Sequence, residues 1–238
     1  MLIYPALDLY EGKVVRLEKG EFNKQTVYSL DPVAIARKWS DTGVQWLHIV
    51  DLEGAKTGIL KNFAALTEIR RAVSCNIQFG GGLRTLDSIE KALASGINRV
   101  VLGTKALDAK FCEEVLSRFG RQIAIALDLR DGIVQTQGWL EATSVSLEDA
   151  LQFLNNFSIQ TIIYTDIQKD GMLTGPNLNQ LEKILESTHA NVILSGGISR
   201  LEDLQECQNI SKKNFDGVII GKALYEKKFT LEEALRLP

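Results

Sequence analysis

Short β-branched apolar runs alternate along the chain with stretches whose hydrophobic positions recur at helical spacing. The runs fall near residues 2–7, 46–50, 76–79, 98–102, 122–127, 160–165, 191–195 and 216–220. That pattern predicts eight strands with helices between them. The runs Ile123-Ala124-Ile125-Ala126-Leu127 and Gln160-Thr161-Ile162-Ile163-Tyr164 lack the apolar–polar alternation of a half-exposed strand, which points to a parallel sheet buried on both faces. Punctuation fits: Asp31 followed by Pro32, with Gly43 beyond, reads as N-cap, first helical position and stop. Thr230 with Glu233 has the spacing of a capping box.

The pattern repeats itself halfway through the chain. Ala6-Leu7-Asp8-Leu9 returns as Ala126-Leu127-Asp128-Leu129, each followed by an acidic residue, a glycine and then a valine (Glu11, Gly12, Val14; Asp131, Gly132, Val134). Gly80-Gly81-Gly82-Leu83-Arg84 is echoed by Gly196-Gly197-Ile198-Ser199-Arg200, and Leu102-Gly103-Thr104-Lys105-Ala106-Leu107 by Ile220-Gly221-Lys222-Ala223-Leu224. Strand then helix, eight times in two halves of four, describes an α/β chain folded as one (βα)8 TIM barrel. It would be a single domain over 1–238 with half-barrels at about 1–120 and 121–238. An open doubly wound sheet is the alternative, but it would not ordinarily repeat a strand-end motif halfway along. Barrels place their chemistry at the C-terminal ends of the strands.

Composition changes this picture little. The chain of 238 residues is 45% hydrophobic and 24% charged, with 4 Pro and no linker-like tract, so no internal boundary is drawn. A formal charge of −3 argues against nucleic-acid or anionic-membrane partners, though not against a local anion site made of backbone N–H groups. Cys75, Cys112 and Cys207 are odd in number and widely spaced, which suits reduced thiols in a cytoplasm. Asp8 interrupts any signal-peptide core, and no run is long enough to span a bilayer, so a cytoplasmic protein is expected.

The candidate chemistry lies at the strand ends. Two histidines, His48 and His189, are too few for a multi-His metal site, and both read better as a packed and a surface residue than as catalysts. Asp8 and Asp128 follow apolar strands four apart, so they should face one another across the barrel mouth, where burial raises carboxylate pKa values toward neutrality. They are the candidate base and acid. Asp51 and Asp166 form a second related pair that reads as turn-shaping. Asp170, before Gly171, either shapes a loop over the mouth or swings in as a proton donor.

Glycines supply the second signal. Gly81 and Gly82 with Gly103 and Thr104 form one candidate phosphate cradle; Gly196 and Gly197 with Gly221 and Lys222 form another, in matching places. Two cradles imply a small-molecule substrate with a phosphate at each end. A side chain at Gly81 or Gly197 should then block binding while leaving the fold. Arg16 and Arg84 would serve a phosphate or solvate the rim, and Trp139 would stack on a planar ring or pack its loop.

These residues carry a resemblance. Pro5-Ala6-Leu7-Asp8-Leu9 with Gly12-Lys13-Val14-Val15-Arg16-Leu17, then His48-Ile49-Val50-Asp51-Leu52, the Gly80-Gly81-Gly82 turn and Thr165-Asp166-Ile167 leading through Lys169-Asp170-Gly171 to Leu173-Thr174-Gly175-Pro176-Asn177 resemble the ProFAR isomerase family of histidine biosynthesis, over essentially the whole chain. The resemblance implies an Amadori rearrangement of an aminoaldose to an aminoketose, with the base at Asp8, the acid at Asp128 or, alternatively, Asp170, and Thr165 and Gly175 among the binding residues. It implies no metal and no cofactor, and a monomer is expected. Met172 departs from the threonine expected beside Gly171. The nearest relative is the cyclase subunit of imidazole-glycerol-phosphate synthase, another duplicated barrel; a bifunctional isomerase that also takes phosphoribosylanthranilate is a further alternative.

Overall fold

The structure is a computed structural model that describes residues 1–18 and 21–237; residues 19, 20 and 238, and the side chains of 18, 21–23 and 104, lie outside it. The first half runs β1 (Leu2–Tyr10), β2 (Lys13–Glu18), β3 (Glu21–Ser29), α1 (Pro32–Ser40), β4 (Trp46–Asp51), α2 (Leu52–Thr57), α3 (Phe63–Ala72), β5 (Asn76–Gly80), α4 (Leu86–Ala94), β6 (Arg99–Leu102) and α5 (Ala109–Phe119). The second runs β7 (Ile123–Arg130), β8 (Ile133–Thr136), β9 (Glu141–Ser146), α6 (Leu147–Leu154), β10 (Thr161–Asp166), α7 (Leu178–Ser187), β11 (Asn191–Ser195), α8 (Leu201–Gln208), β12 (Phe215–Ile220), α9 (Lys222–Tyr225) and α10 (Leu231–Leu235). Strands β1, β4, β5, β6, β7, β10, β11 and β12 pair in parallel with their neighbours, and β12 returns to β1, so the sheet closes into the expected TIM barrel.

Four further strands were not expected. β2 and β3 continue antiparallel from β1, and β8 and β9 from β7. Each first hairpin turns through two residues with positive φ, Glu11-Gly12 (49° and 73°) and Asp131-Gly132 (52° and 77°), the backbone sign of the type I′ turn that matches strand twist. The repeated acidic-Gly pair is therefore the turn of a hairpin, with a further strand beyond it. The outer strands escape a hydrophobicity reading because their described side chains bury little: β9, Glu-Ala-Thr-Ser-Val-Ser, is exposed or half-buried throughout, with Val145 packed against the core.

Side chains of the barrel strands alternate between two cores, as the period of two in a strand requires. Leu7, Leu9, Leu47, Ile49, Ile77, Phe79 and their equivalents point outward to the helices. Tyr4, Ala6, Val101, Ala124, Ile163, Ile193 and Ile219 point inward. Removing one outward leucine, such as Leu7→Ala, should cost about 2–5 kcal/mol. At the barrel floor Arg99 donates to the Thr161 hydroxyl (3.0 Å) and to the Tyr4 hydroxyl (3.2 Å) and lies over the Trp46 ring, while Tyr4 donates to Asp216. The helices begin where the sequence places caps: Asp31 accepts from Ala34 N–H, and Thr230 forms a capping box with Glu233. No helix among the described residues is long and apolar enough to cross a membrane.

Candidate active site

The same parity that sends Tyr4 and Ala6 inward sends the next inward residue of β1, Asp8, into the mouth. On β7 it sends Ala124, Ala126 and then Asp128 there. Both carboxylates line one cavity at the C-terminal ends of the strands, with Asp170 from the loop after β10 and with Arg16. Asp8 is 9% exposed and accepts a hydrogen bond from Arg16 Nη1 at 2.7 Å. The other arm of that guanidinium, Nη2, reaches Asp170 Oδ1 at 3.3 Å.

Charges and burial compete here. Burial drives the Asp8 carboxyl up to about 6; Arg16 pulls it down, and Asp170 pushes it up again. Arg16 is shifted upward, because two carboxylates together outweigh the burial that opposes its charge. The two shifts describe one cation shared by two anions, favourable for the cation and costly for the more buried anion. Asp128 is also raised, first by burial; hydrogen bonds from Thr165 and Trp139 oppose the rise and the charge of Asp170 adds to it. So both strand-end carboxyls sit above the ordinary range, for the same first reason and with different partners.

Most of the remaining candidates converge on this cavity. Gly81, Gly82 and Gly103 line one side, Gly196, Gly197, Gly221 and Lys222 the other, with Thr165 and Trp139 between them. Lys222 Nζ donates to Gly171 O at 2.9 Å and so ties the β10 loop to the mouth. Gly175 does not join: it stands behind the wall, donating from its N–H to Gly197 O at 3.1 Å; the Thr104 side chain lies outside the described residues. Arg16 is a correction of a different kind. It does not solvate the rim: it is buried beside Asp8 with its guanidinium over Gly221, a residue of the second candidate cradle. Arg84 donates to Ala55 O at 2.8 Å and lines the cavity as well.

The glycines have a packing reason of their own. A Cβ on Gly81 (φ +101°) would stand 2.1 Å from Asp51 O, and one on Gly197 (φ +93°) 2.5 Å from Gly175 O. Side chains there would collide with backbone, so the expectation of blocked binding on an intact fold fails for both. Asp51 and Asp166 shape turns, as read. Asp51 accepts from the N–H groups of Gly54, Lys61 and Asn62, and Asp166 from Gln168 N–H and the Asn177 amide. Each thereby reaches an Asn eleven residues on, Asn62 before α3 and Asn177 before α7.

With this geometry in view, the comparisons are direct. A family model described as "Histidine biosynthesis protein" matches residues 2–230. The chain belongs to this family. Similar members include a Bacillus cytotoxicus protein 45% identical over 238 residues (all of this chain, 98% of its own length) and a Shouchella clausii protein 44% identical over 234 residues (98% and 96%). A Brevibacillus brevis protein is 43% identical over 236 residues (99% and 95%). Each is named as an isomerase of an imidazole-4-carboxamide bearing a 5-phosphoribosyl and a (5-phosphoribosylamino)methylideneamino group.

Within this family member, the sequence reading passed over several cavity residues. The sequence places His48 as a packed residue. It is buried, but it lines the cavity floor, and burial and the charges of Arg16 and Arg99 drive its imidazole down to about 3. His189 is exposed, as read. Gln135 and Gln137 reach the cavity from the β8 hairpin, Lys105 from the turn after β6 and Ser195 from the end of β11. Counting in twos back from Asp8 along β1 and across the register to His48 would have found the histidine; the glutamines depended on a hairpin whose acidic-Gly signal was seen but not read as one.

Proposed function

We propose that this protein performs the isomerisation for which its relatives are named, an Amadori rearrangement that turns the N-linked aminoaldose ProFAR into its aminoketose. One observation carries the reading: the repeat-related Asp8 and Asp128 open into a single cavity, both with carboxyl pKa values raised by burial. Asp128 or Asp170 protonates the ribose ring oxygen, and the C1–O bond opens to a protonated Schiff base. Asp8 then takes the C2 proton; the electron pair moves toward the iminium nitrogen and gives an enolamine that tautomerises to the ketone. The substrate's own nitrogen is the electron sink, so each step uses only proton transfers.

Asp8, raised to about 6, is ionised at neutral pH yet basic enough to take a proton, the compromise that general-base catalysis favours. A phosphate at each end of the substrate would lie against Gly103 with Lys105 on one side, and against Gly221 with Lys222 on the other, all of which line the cavity. The three buried, unpaired cysteines support a reducing cytoplasm. Incubating the purified chain with ProFAR, first alone and then with ammonia, tests the reading. Aminoketose formed without ammonia is the expected result; an ammonia-dependent cyclised product, or binding without turnover, would overturn it.

A further inference from the structure

Beneath the carboxylates lies a polar pair that this scheme does not use. His48 on β4 lines the cavity floor, and its partner in register on β5 is Gln78, whose side chain is fully buried. Gln78 Nε2 lies 2.9 Å from His48 Nδ1. An amide nitrogen only donates, so Nδ1 is the acceptor and bears no proton; the ring's proton is on Nε2. Gln78 Oε1, the other end of the amide, is buried without a hydrogen-bond partner among the described residues, and Arg99 stands in register with Gln78 on β6; in this orientation the amide turns an acceptor, not donors, to the interior it shares with that buried cation. The charge of Arg99 also reaches His48 and, with burial, keeps the ring neutral.

We infer that Gln78 is a positioning residue: its hydrogen bond to Nδ1 fixes His48 as the Nε2–H tautomer, so that the cavity floor offers an uncharged donor to an oxygen of the ribose being isomerised. This rests on the isomerase reading for the identity of the ligand, though not for the tautomer. A neutral donor suits a step in which the ribose is held in place while Asp8 takes the C2 proton and the electron pair moves to the iminium nitrogen. It orients the sugar and, unlike an imidazolium, does not compete with Arg16 for the Asp8 carboxylate.

Nitrogen-15 NMR of the full chain tests the tautomer without substrate, and it is readable because the chain has only two histidines, the other being exposed His189, assigned with His189→Gln. The expected spectrum of the unaltered protein shows His48 protonated at Nε2 and bare at Nδ1. A protonated Nδ1 would overturn the inference whatever the variants do. Gln78→Leu is expected to mix the tautomers and to lower kcat about tenfold, less than the loss of a direct donor, with KM moving little. Unchanged kcat and an unchanged tautomer in a folded Gln78→Leu would also overturn it. Should that variant not fold, His48→Gln, which keeps an N–H donor, is expected to retain at least about tenfold more turnover than His48→Phe, and equal losses in the two would count against the inference. If the unaltered protein shows the expected tautomer but converts no ProFAR, the functional reading fails and the role of Gln78 in fixing the ring stands.

Discussion

Asp8 and Asp128 end the same strand motif, and each stands just before the same kind of hairpin, yet their surroundings differ. Asp8 is buried against a guanidinium, with Arg16 at 2.7 Å. Asp128 is half-buried, and what opposes the rise in its pKa is a pair of uncharged donors, Thr165 and Trp139. Equivalent strand positions have placed the two carboxyls alike, and the neighbouring side chains give them different partners. A carboxyl beside a fixed cation is held ready to accept a proton. At Asp128 burial raises the carboxyl, uncharged donors oppose the rise and the charge of Asp170 adds to it. The same contrast recurs at the cradles, where the space over Gly103 is open and that over Gly221 is filled by Arg16.

The largest effect should come from removing one member of the symmetric pair. Asp8→Asn is expected to lower kcat by at least about 100-fold while a substrate analogue still binds, since a general base typically contributes about 10² to 10⁴. Near-normal turnover in that variant would remove Asp8 from the mechanism. Asp128→Asn and Asp170→Asn, measured side by side, assign the acid: the one whose kcat collapses with analogue binding intact holds that role.

The pH profile sharpens the comparison next. Because Asp8 must be ionised, kcat/KM should fall about tenfold per unit below its pKa of about 6 and level off above it. An acid limb near 4 would mean that burial does not govern this carboxyl. Stability should run the other way. A folded-state pKa raised above the unfolded value means that the native protein holds the proton more tightly, so stability declines as pH rises from about 4 to about 6. Thermal unfolding of Asp8→Asn across that window should show this slope flattened.

Gly221 and Gly103 form a matched pair for a smaller effect. Their backbones are alike, with φ and ψ of −111° and −95° against −104° and −109°, so whatever that conformation costs an alanine is common to both. A Cβ at 221 would lie 2.5 Å from the Arg16 guanidinium, whereas one at 103 meets nothing within 4 Å. Gly221→Ala should therefore push Arg16 off Asp8, move the acid limb upward and lower kcat/KM about tenfold more than Gly103→Ala does. Equal effects would deny Arg16 its hold on the base.

How much of this was legible in the chain depends on what each residue answers to. The eight barrel strands follow from burial on both faces, which writes continuous apolar runs such as Ile123 to Leu127 into the sequence. Asp8 and Asp128 were legible because a polar residue at the end of such a run has few structural reasons to be there. The described side chains of β3 and β9 bury little and leave a faint hydrophobic trace, and the cavity residues of the β8–β9 hairpin, Gln135 and Gln137, leave none. Arg16 was visible as a cation, but its placement between Asp8 and Asp170 needs the hairpin of β2 and the loop after β10 to meet, a contact between residues 154 apart that no local pattern records. The glycines were the reverse case. Their repeated spacing was plain, and the structure adds that Gly81 and Gly197 are held by backbone crowding as well as by any ligand.

The smallest difference between the halves lies in their first helices. Asp31 caps α1 and Ser146 caps α6, each just after its hairpin, and each accepts the backbone N–H three residues on, at 2.9 and 3.1 Å. Loss of either cap to alanine should cost about 1 kcal/mol in chemical denaturation and leave kcat unchanged. The two should not be equal. The first turn of α1 has no acidic residue, so Asp31 alone supplies negative charge against the helix dipole, whereas α6 keeps Glu148 and Asp149 after Ser146 is lost. Asp31→Ala is therefore expected to be the more destabilising by a few tenths of a kcal/mol at low salt, and the gap should close as salt is added; a gap indifferent to salt would assign it to packing instead.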